Sequence, residues 1–412
     1  MVYRYTAFLI VSSIGAQSVS FKLGIENIPV DLHKRVAISK SNPRFALITN
    51  HTGKTLTGQP ALEVLRSRGF IISYLLAPEH GMTGAIAAEK TITNGYDTLS
   101  KTPIISLYAN GTGKGLTQEI LDSIDGFIFD IQDVGMRHYT YVSTLLRMLQ
   151  TAADNNKFFI VLDRPNILGG RMEGPLVSDA ILARKSFIAA APVPLRHGMT
   201  VGELARYFNK YVLKNPARLY VVPMMGYVRQ HTLPDALSYH LSPNIINKQA
   251  CYGYSFLGLL GEVRPFDVGL GTQTPFARIG VATTHKVAPD KLAALRVQLA
   301  RSGVGAQVCT YFNARNKKNH HGLSLHIHNV HAVSSFNAFL SVLHSFKDMG
   351  INLEFSQYFD HAVGTDIVRR YVQGLLSYDY LKREVNKTLQ QFFNQARTIF
   401  IYQPWPTLVL VE

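Results

Sequence analysis

A chain of 412 residues, 47% hydrophobic and 17% charged, without low-complexity tracts or repeats, has room for two domains and a substantial core, which excludes a disordered or fibrous protein. Its formal net charge of +15 suits an anionic partner, yet the basic residues are scattered, with short runs only at ARNKKN and RR. No aromatic-interleaved basic stripe is present, so nucleic acid is not expected, whereas an acidic membrane surface or an anionic polymer such as a cell wall would exploit the charge.

The first residues, MVYRYTAFLIVSSIGAQSVS, read as an export signal over residues 1–16. Arg4 supplies the positive start, Thr6 to Ile14 a short apolar core, and Ser13, Gly15 and Ala16 the small residues of a cleavage site. The run is too short for a stable anchor, so no membrane span is expected after processing, and the destination is secreted or periplasmic. Cys251 and Cys309 can pair in an oxidising compartment but make no disulfide framework.

Five short apolar runs follow: RFALIT (44–49), FIISYLLA (70–77), PIISLY (103–108), GFIFDI (126–131) and KFFIVLD (157–163). Near-continuous hydrophobic runs are the signature of strands covered on both faces. ALEVLRSRG, TQEILDSIDG and YVSTLLRMLQTAADNN lie between them with helical spacing. Strand–helix alternation predicts parallel strands and a Rossmann-like α/β layer over residues 17–235. A further helix begins at TVGELARYFNKYV, where Thr200 and Glu203 form a capping-box pattern, and ARLYVVPM (217–224) is the expected last strand.

Polar, Gly- or Pro-containing loops follow the strands: NHTG, PEHG, YANGTG, DIQDVGMRHYTY and DRPN. In an open parallel sheet, loops at the carboxyl ends of strands converge without disturbing the core, so these five loops predict a binding cleft. No Gly-x-Gly-x-x-Gly follows any strand and no P-loop lysine exists, so a nucleotide is not indicated and no cofactor is expected. From residue 236 the character changes. ARIGVATT, AQVCTYFNA and LSLHIHN read as strands, SSFNAFLSVLHSFKDMG and YDYLKREVNKTLQQFFNQARTIF as helices. The last helix spaces Leu381, Val385, Leu389 and Phe393 as one buried stripe, and residues 236–412 are expected to form a smaller α/β lid or wall domain.

The blocks LAPEHGMTG, FDIQDVGMRHYTYVST, VLDRPNILGGRMEGPL and PVPLRHGMTVGELARYFN resemble those of the NamZ-type exo-β-N-acetylmuramidases, and SPNI, GLGTQTPF, HGLSLHIHN, YFDHAVGTD and QARTIFIY extend the likeness over nearly the whole mature chain. The resemblance implies a bacterial glycosidase of two α/β domains with its active site in the cleft between them. The implied reaction releases terminal non-reducing N-acetylmuramic acid from peptidoglycan fragments during cell-wall turnover, with muropeptides or MurNAc–GlcNAc oligosaccharides as substrates.

Glycoside hydrolysis requires a carboxylic acid at the leaving oxygen and a second group across the ring. The resemblance puts Glu79 first as acid/base, with His80 beside it; Asp130 and Tyr139 are the further catalytic candidates. The substrate-binding candidates are Asn50, Glu89, Gln132, Asp133, Arg137, Tyr141, Asp163, Arg164, Arg196, His197 and His326. Arg137, Arg164 and Arg196 offer planar forks for the lactyl carboxylate. The histidines of HHGLSLHIHNVH invite a metal reading, but a pair on one strand face lacks a third ligand, so no metal is expected. Where the family typically reads Glu-Gly-Arg-Gly-Thr, this chain has VGLGT, with Val268 and Leu270 replacing a carboxylate and a cation. That departure motivates the alternative of a peptidoglycan-binding protein without catalysis on the same scaffold.

Overall fold

The computed structural model describes residues 20–36, 40–87, 90, 92–108 and 116–412; the export-signal stretch, Glu89 and most of the YANGTG loop lie outside them. The first half carries strands β1 (Arg44–Thr49), β2 (Ile71–Ala77), β3 (Gly95–Asp97), β4 (Thr102–Ser106), β5 (Gly126–Asp130), β6 (Phe158–Leu162), β7 (Arg171–Glu173) and β8 (Arg218–Val222). Seven of them form one sheet, ordered β3-β4-β2-β1-β5-β6-β8 and parallel except at the antiparallel edge strand β3. The five apolar runs and ARLYVVPM are therefore all strands. β3 was not foreseen because a short, exposed edge strand carries no apolar run. The central strands explain the unbroken hydrophobicity: residues 46–48, 127–129 and 160–162 are at most 1% exposed, covered on both faces.

From β1 the chain runs outward to β2 and β4, returns to β5 on the other flank of β1, and continues to β6 and β8. The direction of travel reverses between β1 and β5, which opens a crevice beyond their carboxyl ends. The Thr49 hydroxyl donates to the Asp130 carbonyl at 2.9 Å and closes the floor of that crevice.

The second half carries β9 (Val263–Arg264), β10 (Arg278–Ala282), β11 (Gly305–Asn313), β12 (Lys318–His326), β13 (Glu354–Phe355) and β14 (Thr407–Val409). An antiparallel sheet of order β10-β12-β11 packs with the helices Lys248–Leu260, Pro289–Arg301 and Ser335–Asp348. The long helix Tyr378–Ala396 departs from expectation in two ways. Its buried stripe is Leu381, Val385, Leu389, Phe392 and Ala396, not Phe393, because steps of four residues drift off a period of 3.6 and one step of three restores the face. It also packs on the first half rather than on the small sheet: Phe392 meets the Tyr207 ring at 4.8 Å and Gln395 accepts from the Tyr207 hydroxyl.

The tail that follows stays with the first half. β14 pairs in parallel with β7, Tyr402 donates to Asp163 Oδ2 at 2.6 Å, and Ile401 N–H donates to Glu203 Oε1 at 2.8 Å. Glu203 closes the capping box with Thr200 through reciprocal bonds of 3.0 and 3.2 Å. Asp163, expected to bind substrate, is instead fully buried beneath this tail, accepting from Arg164 N, Gly202 N, Thr200 Oγ1 and Tyr402 Oη.

Burial is the main cause that pushes the Asp163 carboxyl from 3.8 up to about 6, against the pull of its Tyr402 and Gly202 donors. The folded chain thus holds this proton more tightly than the unfolded one. The linked stability is complete below the unfolded value of 3.8 and is lost as pH rises through about 6. A difference of that size is worth roughly 3 kcal/mol. Asp163→Asn keeps an acceptor for the two N–H groups and offers its amide to the two hydroxyls. Urea unfolding between about pH 4 and pH 7 is expected to show a loss of stability that the variant lacks; parallel profiles would refute the assignment.

Candidate active site

Glu79 and His80 follow β2 in the turn Pro78–Gly81, where His80 takes a left-handed φ of 69° and Gly81 one of 72°. A non-glycine residue in that region is strained, and here His80 Nδ1 compensates by donating to the Ile86 carbonyl at 2.7 Å. The turn aims the Glu79 carboxyl at the segment after β5. Thr140 Oγ1 donates to Glu79 Oε2 at 2.6 Å, and the Tyr141 hydroxyl donates to the Glu79 carbonyl at 3.4 Å. Asn50, after β1, donates to that same Tyr141 oxygen at 2.9 Å. Loops from β1, β2 and β5 therefore lock one carboxyl group in place, and Glu79 is 6% exposed.

This carboxyl faces a cavity of about 570 Å³ with walls from both halves of the chain. The first half contributes Glu79, His80, Tyr108, His138, Tyr139, Thr140 and Phe187; the second contributes Ser242, Asn244, Tyr254, Glu262, Phe276 and Tyr358. Among the described residues that line it there is no lysine or arginine. Tyr139 donates to the Leu241 carbonyl at 3.0 Å, and its ring meets those of Tyr141 and Tyr254 edge to face at 4.8 and 5.9 Å. Burial pushes the phenols of Tyr139, Tyr141 and Tyr254 up. Burial, aided by the Arg137 charge, pulls His138 down to about 3, so its imidazole is neutral. Tyr254 also sits in the field of three carboxylates, Glu79, Asp133 and Glu262. Glu262 accepts a short hydrogen bond from Ser356 Oγ.

Of the residues expected at the site, the structure brings Glu79, His80 and Tyr139 to the cavity wall and places Asn50 and Tyr141 directly behind Glu79. Tyr139 donates its hydroxyl to the Leu241 carbonyl, and burial pushes its phenol up. Asp130 is fully buried and does not reach the cavity; its oxygens lie 2.5 and 2.9 Å from Arg164 Nε and Nη2, and Arg164 also donates to the Lys54 carbonyl. Gln132 Nε2 donates to the Asp133 and Pro165 carbonyls, while its buried Oε1 has no partner among the described residues. Asp133 accepts from Gly135 N at 2.7 Å and lies 3.8 Å from His197 Nε2, and neither residue lines the cavity.

The forks expected at a lactyl carboxylate are committed elsewhere. Arg137 donates to the carbonyls of Pro175, Val193 and Ala362, and Arg196 to Glu173, Ser335 and the carbonyls of Leu168, Val330 and Val333. His326 lies over Gly305 beside His328, off the cavity. Among the described residues no group of three His, Cys, Asp or Glu side chains lies close enough to hold a metal ion.

Sequence reasoning passed over Thr140, His138, Tyr254 and Glu262. Thr140 and His138 stand inside a motif already singled out, hidden among stronger acids and bases. Tyr254 and Glu262 follow from the helix Lys248–Leu260, whose glycines carry the usable signal. A Cβ on Gly253 would collide with the Phe276 carbonyl, and one on Gly258 would come within 2.9 Å of His138 Nε2. Glycine inside a helix costs about 1 kcal/mol against alanine, so two in one helix mark close approach.

Comparison with known proteins agrees with this layout. A family model described as exo-beta-N-acetylmuramidase NamZ, N-terminal, matches residues 45–249, and its C-terminal counterpart matches residues 252–402. The peptidoglycan beta-N-acetylmuramidase NamZ of Bacillus subtilis (strain 168) is 31% identical over 397 residues, covering 94% of this chain and 92% of that protein. Two crystal structures of DUF1343 family proteins from Bacteroides fragilis NCTC 9343 share the fold, with TM-scores of 0.79 and 0.69 at 28% and 26% identity. Each covers 93% of this chain and 99% of its own. Glu79 and Thr140 fall in the first matched span, Tyr254, Glu262 and Tyr358 in the second, so the cavity draws on both. The chain is a member of the NamZ exo-beta-N-acetylmuramidase family.

Proposed function

We propose that this chain is a glycosidase that removes terminal N-acetylmuramic acid from the non-reducing ends of peptidoglycan fragments, acting outside the cytoplasm in cell-wall turnover. The observation that carries the reading is Glu79: a buried carboxyl, oriented by Thr140, opening on a cavity of a size suited to a sugar ring. Family membership and the named activity of the Bacillus relative support it. The extracytoplasmic location is supported by the residue pattern of positions 1–16.

In this reading Glu79 gives a proton to the glycosidic oxygen as the C1–O bond breaks, and the aglycone leaves as an alcohol. Water then adds its oxygen to C1 and yields a proton to a carboxylate. Glu262 is the second carboxylate at the cavity wall and the candidate for that task. The phenols and the neutral His138 imidazole leave the developing oxocarbenium charge facing carboxyl groups, with no lysine or arginine among the described lining residues to oppose it.

A chromogenic β-MurNAc substrate and a MurNAc–GlcNAc disaccharide test the reading. Glu79→Gln is expected to lower kcat by about 10²–10⁴-fold with the fold intact by circular dichroism. Sugar release at the wild-type rate would end the assignment, and binding without release in both proteins would select the binding-only alternative. Thr140→Val removes the hydrogen bond that Glu79 Oε2 accepts and leaves a buried carboxyl oxygen without that donor, a loss of about 1–3 kcal/mol. It is expected to lower kcat by roughly tenfold or more while KM changes little, because the bond orients the acid rather than the sugar. An unchanged kcat would show that Thr140 does not orient Glu79.

A further inference from the structure

Beside the catalytic cavity lies a second one, of about 540 Å³, enclosed by the β9–β10 connection and the β11–β12 turn. Gly261 and Leu270 line both cavities, so the two chambers adjoin across a shared wall. Their chemistry is opposite. The first holds Glu79 and Glu262 and no lysine or arginine among its described lining residues; the second is edged by Arg264, Arg315 and Lys318. None of these three cations joins an ion pair among the described residues.

The one carboxylate in the second chamber, Asp267, is saturated. It accepts from Tyr311 Oη at 2.8 Å, Asn313 Nδ2 at 2.7 Å, Asn316 Nδ2 at 3.0 Å and Gly269 N at 2.9 Å. His320 is 3% exposed and stacks on Tyr311; its Nε2 meets the Asn316 amide, and its Nδ1 has no partner among the described residues. Gly271 has a φ of +84°, and a Cβ there would stand 2.7 Å from Arg315 Cβ. Gly271 of the VGLGT loop is therefore what leaves room for the Arg315 stem beside the chamber.

We propose that this second chamber is a subsite for a carboxylate-bearing peptide attached to the muramyl lactyl group, with Arg264, Arg315 and Lys318 as its cationic contacts and His320 Nδ1 as a partner for a peptide amide. The proposal rests on the muramidase reading and extends it from the sugar to its substituent. Size decides between the two sources of a carboxylate. A free lactyl group displaces only a few waters, each with a share of about 30 Å³ of liquid, and would leave most of the chamber unfilled. A short acidic peptide fills it and presents carboxylates to guanidinium forks.

The test compares chromogenic β-MurNAc with the same glycoside carrying L-Ala-D-Glu on the lactyl carbonyl. The wild-type protein is expected to show a KM at least tenfold lower for the peptide-bearing substrate. The double variant Arg315→Gln/Lys318→Gln, altered at two exposed positions, is expected to bring that ratio close to one. A ratio near one in the wild type overturns the proposal, as does a tenfold ratio that survives in the variant. If the wild-type ratio is near one and the variant raises KM for both substrates, the chamber takes the lactyl carboxylate instead. Hydrolysis of neither glycoside by the wild type would refute the muramidase reading itself, and binding of each to Glu79→Gln by calorimetry then measures the peptide preference without turnover.

Discussion

The guanidinium of Arg137 is out of contact with water and donates to three backbone carbonyls, two from the first half of the chain and one, Ala362, from the second. Arg196 does the same between Leu168 on one side and Val330 and Val333 on the other, with Glu173 balancing its charge. Leaving such carbonyls unpaired in the interior costs more than a hydrogen bond returns. A planar group with five donors satisfies several at once. The cavity that Glu79 faces has walls from both halves, so its shape follows from these buried crossings. Breaking a buried charged pair such as Arg196–Glu173 is among the most destabilising changes, because a charge is left without compensation.

The tail gives a second restraint of the same kind. After the small antiparallel sheet is complete, the chain returns, lays the helix Tyr378–Ala396 on the helix Val201–Tyr211, and ends with β14 against β7. Asp163 and Glu203 receive that tail through Tyr402 and Ile401. Asp163, which looks like a site residue because it follows a strand of a parallel sheet, is thus used to bind the chain to itself.

This division explains what could be read from the residues alone. Strands β1, β5 and β6 were legible because burial on both faces demands an unbroken apolar run, and β2, β4 and β8 because their less buried runs are still rich in β-branched and aliphatic residues. The site was legible as a place, because the switch between β1 and β5 follows from strand order, and Glu79 was legible by its motif. The work of each polar residue around it was not. An arginine that will meet a carboxylate and one that will meet three carbonyls look alike in sequence; only the tertiary crossing tells them apart. Likewise Tyr254 and Glu262 depend on where the helix Lys248–Leu260 comes to rest, which its sequence hints at only through Gly253 and Gly258.

Withdrawing the arginines from the cavity has a consequence for the chemistry. With Arg137 and Arg196 bound to carbonyls and Arg164 to Asp130, the charged groups facing the sugar chamber are carboxylates. The phenols and His138 are neutral through burial. An oxocarbenium ion placed there meets negative potential in a site screened from water, where such interactions are strongest. A substrate that also carries carboxylates would be repelled by the same potential unless they were held elsewhere. The cations that could hold them stand across the shared wall at Leu270, on the far side of the loop where charged residues were expected and small or apolar ones are found. Acidic and basic groups are thereby sorted into two chambers: one matched to the charge that develops at C1, the other to the charge the substrate brings.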